Sequence, residues 1–130
     1  MTRRDSERGS ATILIAALGL ALLMATGLAV DGGRKLGALS EARNVADNAA
    51  RAGAQMVDPN EYRSTGVPTL DPVAASQRAT AFLTQQGHTG VVSVSGSTVT
   101  VTVTINVDPT FIPGRISASA TESATATAGP

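Results

Sequence analysis

The chain has 130 residues, a formal net charge of zero and no cysteine. Zero net charge leaves no overall basic field for nucleic acid and no acidic field for cations. The missing Cys removes disulfides, thiolate metal sites, cysteine nucleophiles and a lipoprotein anchor together. Aromatic residues are limited to Tyr62, Phe82 and Phe111, so a core must be assembled from Val, Ile, Leu and Ala, and it has to draw stability from close packing or from partners.

The first element is Gly9 to Val30, GSATILIAALGLALLMATGLAV, a run without a charged residue. As a helix it spans ~33 Å, enough to cross a hydrocarbon core of ~30 Å. Arg3, Arg4, Asp5, Glu7 and Arg8 precede it and Asp31 closes it. The chain is therefore expected to divide into a cytoplasmic tail (1–9), a transmembrane helix (10–30), an amphipathic helix continuing from the membrane (31–57) and a small extracytoplasmic α+β domain (58–130). Basic residues flank both ends of the run, Arg34, Lys35 and Arg43 on the far side, so counting charges does not orient it. A basic segment before an apolar run is also the pattern of an export signal, which places the tail inside.

Within the run, Ala17, Ala21, Ala25 and Ala29 recur every four residues, beside Gly19 and Gly27. The repeat reads either as a packing surface for another membrane helix or as the ordinary abundance of small residues in such segments. Gly32 and Gly33 mark a place where the helix could bend on leaving lipid.

Helical periodicity resumes from about Leu36 to Val57. Leu39, Ala42, Val45, Ala46, Ala49, Gly53, Met56 and Val57 share one face, and Ser40, Glu41, Arg43, Asn44, Asp47, Asn48, Arg51 and Gln55 the other. The apolar face is shallow, suited to close contact with its own domain or inside an assembly. Residues 58 to 72 read as loop. Asp71 before Pro72 is an N-cap with Pro at the first helical position, opening a second helix to about Gln86 that buries Val73 or Ala74, Ala75, Ala79, Phe82 and Leu83 before Gly87 stops it.

After Gly90 the period changes to two. Val92 and Val94 lead into the Ser95-Gly96-Ser97 turn, and Val99, Val101, Val103, Ile105 and Val107 alternate with Thr and Asn until Asp108 and Pro109. A third strand candidate follows the Pro113-Gly114 turn, Arg115 to about Ala128. Ile116, Ala118, Ala120, Ala124, Ala126 and Ala128 form its inward set, small enough to sit against a helix, to add to a partner's edge or to fray. The order of elements predicts an α+β, pilin-like fold: a long amino-terminal helix, a second short helix and an antiparallel sheet of about three strands with helix over one face.

No catalytic constellation accompanies these elements. His88 is the only histidine and lies in a turn, so zinc lacks its ligand set. Gly32, Gly33 and Gly37 follow no strand and precede no Gly-Lys-Ser/Thr, which argues against a phosphate loop. Asp31, Glu41 and Asp47 scatter around their helix and read as solvated acids or as local partners of Arg34, Arg43 and Arg51. The chain is expected to be no enzyme and to need no cofactor or metal.

RRDSERGSATILIAAL, the single apolar helix ending LAVDGGR and then LSEARNVADNAARAGAQ together resemble the amino-terminal region of TadE/TadG-like proteins of the Tad (Flp) pilus-assembly group, over roughly residues 4 to 57. The resemblance rests on Arg8 and Gly9, on Asp31 to Arg34, and on Asn44 to Ala54. It implies a minor pilin-like or assembly protein of the bacterial cytoplasmic membrane that associates with other pilus or secretion-machinery subunits as a hetero- or homo-oligomer. It also implies a processing site at Gly9 and Ser10. The fifth position after that bond, where pilin-type precursors carry Glu, is Leu14, a departure that bears on cleavage and on entry into a filament. The long carboxy-terminal adhesion-type domain of larger TadG-like proteins is not expected in this length. Helix-packing candidates are Ala17, Ala21, Ala25, Ala29, Leu39, Ala42, Ala46, Ala49 and Gly53. The competing reading is a secreted binding module, with Ile13 to Met24 as a signal-peptide core and a cut at Leu28.

Overall fold

The computed structural model describes residues 3–127, and side chains from Gly9 to Thr127. Met1 and Thr2 of the expected tail and Ala128 of the expected third strand lie outside the described residues. Helix α1 is a single rod, Arg3–Ala54, 52 residues long. It passes through Gly32 and Gly33 without a break, because the i to i+4 hydrogen bonds on either side carry the two glycines. The helix starts inside the segment read as a tail.

Two short helices follow, α2 (Pro59–Thr65) and α3 (Pro72–Gln85). Helix α2 corrects the reading of residues 58 to 72 as loop. Its start carries the same signature as that of α3: an Asp side chain accepting from two backbone N–H groups, with Pro at the first helical position. Asp58 accepts from Asn60 and Glu61, and Asp71 from Val73 and Ala74. Gly66 ends α2 in the left-handed region, φ 72°, after only two turns.

Strands β1 (Gly90–Ser95), β2 (Thr98–Val107) and β3 (Ile116–Thr125) form one antiparallel sheet in the order β1-β2-β3. A two-residue turn at Gly96 and Ser97 joins the first pair, with Gly96 at φ 58°, the sign this turn needs at its first central position. Register sets Val101 opposite Val92 and Glu122, and Val103 opposite Gly90 and Ala120. The sheet is therefore two-faced. Val99, Val101, Val103, Ala118, Ala120 and Ala126 turn inward and are buried. The opposite face carries a ladder of hydroxyl pairs: Thr98 with Thr125, Thr100 with Ser123, Thr102 with Thr121 and Thr104 with Ser119. Strand β3 is intact to Thr125 because it pairs with β2 along its whole length, while its small inward residues admit α1 closely.

Helices α1 and α3 cover the inner face, α1 across β2 and β3 and α3 across β1. The core is Ala42, Ala46, Ala49 and Ala50 of α1, Ala75, Ala79 and Leu83 of α3, Leu70, and the inward residues of the sheet. Of the alternatives for the start of α3, Ala74 is half-buried and Val73 is exposed. Gly53 is where α1 meets the α3 backbone: a Cβ there would lie 2.9 Å from the Ala75 carbonyl oxygen and 3.2 Å from a Val99 methyl. A bridge between Val57 and Leu70, with Leu70 N–H donating to the Gly96 carbonyl, ties the end of α1 to the hairpin. The architecture is α+β, two layers, with one helix extending far beyond the domain.

Candidate functional site

The feature that joins the two parts of the molecule is the segment between β2 and β3, Asp108–Arg115, which folds back along α1 toward the apolar run. Gly27, Asp31 and Arg34 meet it, and they share a helix face because i, i+4 and i+7 stack on successive turns. Asp31 is the centre. One carboxylate oxygen accepts from the Thr110 N–H at 2.9 Å, and the other accepts from the N–H groups of Phe111 at 2.8 Å and Ile112 at 2.9 Å. Three consecutive backbone donors thus share one side chain, and the residue is only 1% exposed. An orphaned amide next to an apolar surface is costly, so the carboxylate fixes the loop's shape as well as its position.

The same contacts favour the ionised carboxylate. The Thr110 N–H, followed by those of Phe111 and Ile112 and by the Arg34 charge, holds the Asp31 carboxyl below the usual carboxylate range, outweighing the opposing effect of burial. Arg34 also donates to the Thr110 hydroxyl. The expectation that Asp31 is solvated or only locally paired is therefore corrected: its main partners lie about eighty residues away in sequence and are backbone groups, which no side-chain pattern encodes. Glu41 and Asp47 do sit at the surface. Asp47 pairs with Arg51 at 2.9 Å, and Glu41 lies 3.2 Å from His88, which places the lone histidine in a half-buried turn against α1.

One turn before Asp31, Phe111 lies across the backbone of α1 at Gly27. A Cβ at Gly27 would stand 2.8 Å from the Phe111 ring, so only glycine admits this contact. Gly27 is buried, whereas Phe111 remains 60% exposed. An open groove of about 630 Å³ runs beside the ring, lined by Leu23, Met24, Thr26, Gly27, Leu28 and the loop's Phe111 and Ile112.

The other residues singled out from the sequence fall into two sets. Ala42, Ala46, Ala49 and Gly53 are buried within the domain's own core, with Leu39 half-buried beside them. Ala17, Ala21, Ala25 and Ala29 are exposed on α1, as are Gly9 and Ser10. At ~100° per residue, Ala25 and Ala29 lie on the side of the helix away from Gly27. Among the described residues no group of three His, Asp or Glu is placed to hold a metal ion.

Residues 9–56 match the family model Tad, described as "Putative Flp pilus-assembly TadE/G-like". The amino-terminal region is TadE/G-like. The resemblance read from residues 4 to 57 thus stands for that region, and the match takes in the apolar run, Gly27, Asp31 and the helix that carries the domain. The loop that Asp31 holds lies outside it. No curated protein and no solved structure matches the chain.

Proposed function

We propose that this chain is a membrane-anchored structural or assembly subunit of a Tad/Flp-type pilus or related secretion machinery, minor pilin-like, acting by helix packing and association with other subunits. The observation that carries the reading is that one TadE/G-like stretch, residues 9–56, includes both an apolar helix whose large side chains are exposed and the helix that organises the domain. From Ile13 to Val30 the large side chains are between 41% and 72% exposed. Such a cylinder is stable in lipid or against like helices and not in water. In this reading residues 10–30 span the cytoplasmic membrane once, the tail lies inside and the domain outside.

The loop bears on how the anchor is used. Asp31 and Gly27 bind the domain to the last turns of the apolar run, so the domain cannot swing freely about Gly32 and Gly33. A subunit of this form presents its sheet at a set height and angle to its neighbours, which suits regular assembly.

The amino-terminal sequence and intact mass of the protein recovered from its native cell test the proposal. A chain starting at Met1, Thr2 or Ser10, found in the membrane fraction, retains the anchor. A start at Ser10 further assigns processing between Gly9 and Ser10. Recovery from the medium with a start near Leu28 overturns the reading in favour of a secreted module.

A further inference from the structure

We propose that the loop 108–114 is a second membrane contact, in which Phe111 and Ile112 enter the leaflet on the domain's side and a lipid acyl chain occupies the groove between them and Leu23, Met24 and Leu28. The inference rests on the anchor reading above and goes beyond it, because a single spanning helix does not require its domain to touch lipid.

Three observations carry it. The groove is continuous with the apolar run: its helix side consists of residues 23 to 28, inside the span itself, so whatever surrounds the span at that depth reaches the groove. Three consecutive amides of the loop, and the one hydroxyl on the groove's helix side, are satisfied from within. Asp31 takes the amides of residues 110 to 112, and the Thr26 hydroxyl donates to the Leu22 carbonyl at 2.9 Å. Hydrocarbon penalises unpaired backbone donors, so the tip at residues 110 to 112 is the part of the loop suited to enter it. The charges are also placed for a headgroup layer: Arg34, Lys35 and Arg115, with the acid Asp108, are exposed at the domain end of the loop, and no charged residue lines the groove. Phe111 is the large exposed apolar residue of the sheet connections that borders the run, and Gly27 gives it room to lie there. The loop acts as a stop that sets how deep the helix sits.

The chain has no Trp, so Phe111→Trp supplies a single fluorescent reporter, with Ile112→Trp as a second should the indole fit poorly over Gly27. Leu18→Trp, in the middle of the run, reports on the anchor alone. Each full-length variant is reconstituted into vesicles of phosphatidylcholine and phosphatidylglycerol, with or without acyl chains brominated near the headgroup or near the bilayer centre. The proposal expects emission from both loop reporters shifted to shorter wavelength, quenched by the shallow bromines and shielded from acrylamide, with Leu18→Trp quenched by the deep ones. Loop reporters that emit as in water and are quenched by acrylamide, while Leu18→Trp is quenched by lipid, overturn the loop contact and leave the anchor standing. Loop reporters shielded from both acrylamide and bromine show the groove filled by protein and also overturn it. If Leu18→Trp escapes the lipid quencher, the anchor fails and the loop contact with it.

Discussion

The two halves of α1 solve opposite packing problems with the same residue types. From Ala38 to Gly53 the helix is buried along a stripe of small residues, and no large side chain of that stretch is fully buried. From Ile13 to Leu28 the large side chains point outward and are exposed, and the one buried residue is Gly27. In the domain half, small residues let sheet and α3 approach the helix axis, and the stability comes from Val and Leu on those partners. In the apolar half there is no sheet, so the Leu, Ile and Met side chains stay largely uncovered. Gly27 is where the rule of the first half intrudes into the second: a small residue accepts a close partner, here Phe111.

The largest effects are expected where α1 meets α3 inside the core. Gly53→Leu places a branched side chain where even a Cβ would stand 2.9 Å from a backbone oxygen, which the α3 backbone cannot yield cheaply. A loss of about 3 kcal/mol or more follows for overpacking of this kind. Thermal unfolding of the detergent-solubilised protein should fall by roughly 4–8 °C per kcal/mol for a domain of this size. An unchanged melting temperature would show that the shallow face is not a close contact. Leu83→Ala tests the other side of the same interface. Leu83 is one of the largest fully buried side chains, and its truncation should cost about 2–5 kcal/mol. Together the two variants distinguish a core limited by space from one limited by buried area.

Gly27→Leu should separate the halves. It displaces Phe111 from α1, because its Cβ alone would come within 2.8 Å of the ring, yet it touches nothing in the domain core. Hydrogen exchange at Thr110, Phe111 and Ile112 should accelerate while exchange in β2 and α3 stays at its parent rate. Equal acceleration throughout would mean that the loop supports the domain, contrary to the division drawn above.

A pH titration of the same amides probes Asp31. Its folded-state pKa is depressed by the loop N–H groups. The stabilisation is therefore fully present above the unfolded carboxyl value and is lost only as pH falls through the lower folded value. Loop protection should stay flat from about pH 8 to about pH 5 and disappear in stronger acid, below the ordinary carboxylate range. Asp31→Asn, which can accept at one oxygen only, should lose protection across the whole range. A loop released near neutral pH would show that the carboxylate is not its anchor.

The sequence made the elements legible where their signal is local. Alternation of Val with Thr marks β2, Asp71 before Pro72 marks α3, and the uncharged run marks the helix. Helix α2 carried the same Asp-Pro signature at Asp58 and Pro59 and was obscured by the turn formers around it. The contact of Asp31 with residues 110 to 112 had no local signal, because its donors are backbone amides identical at every position. Its only trace was the spacing of Gly27, Asp31 and Arg34 on one face, and that gains meaning once Phe111 is seen against Gly27. The Ala stripe of residues 17 to 29 was equally visible, yet the fold supplies nothing to set against it.

The smallest effect should come from an acid that the sequence made look the same as Asp31. Asp47 pairs with Arg51 one turn along α1, but both side chains are well exposed, 40% and 68%, and each can exchange its partner for water. Such i, i+4 pairs contribute about 0.3–0.5 kcal/mol and weaken with salt. Asp47→Ala should therefore leave thermal unfolding within about 0.5 kcal/mol of the parent and leave exchange at residues 110 to 112 untouched. Two aspartates on one helix, one exposed to water and one enclosed by backbone donors, then differ in consequence because of what surrounds the carboxylate. A cost at Asp47 as large as that at Asp31 would mean that charge along α1, rather than the capped loop, holds the domain to its helix.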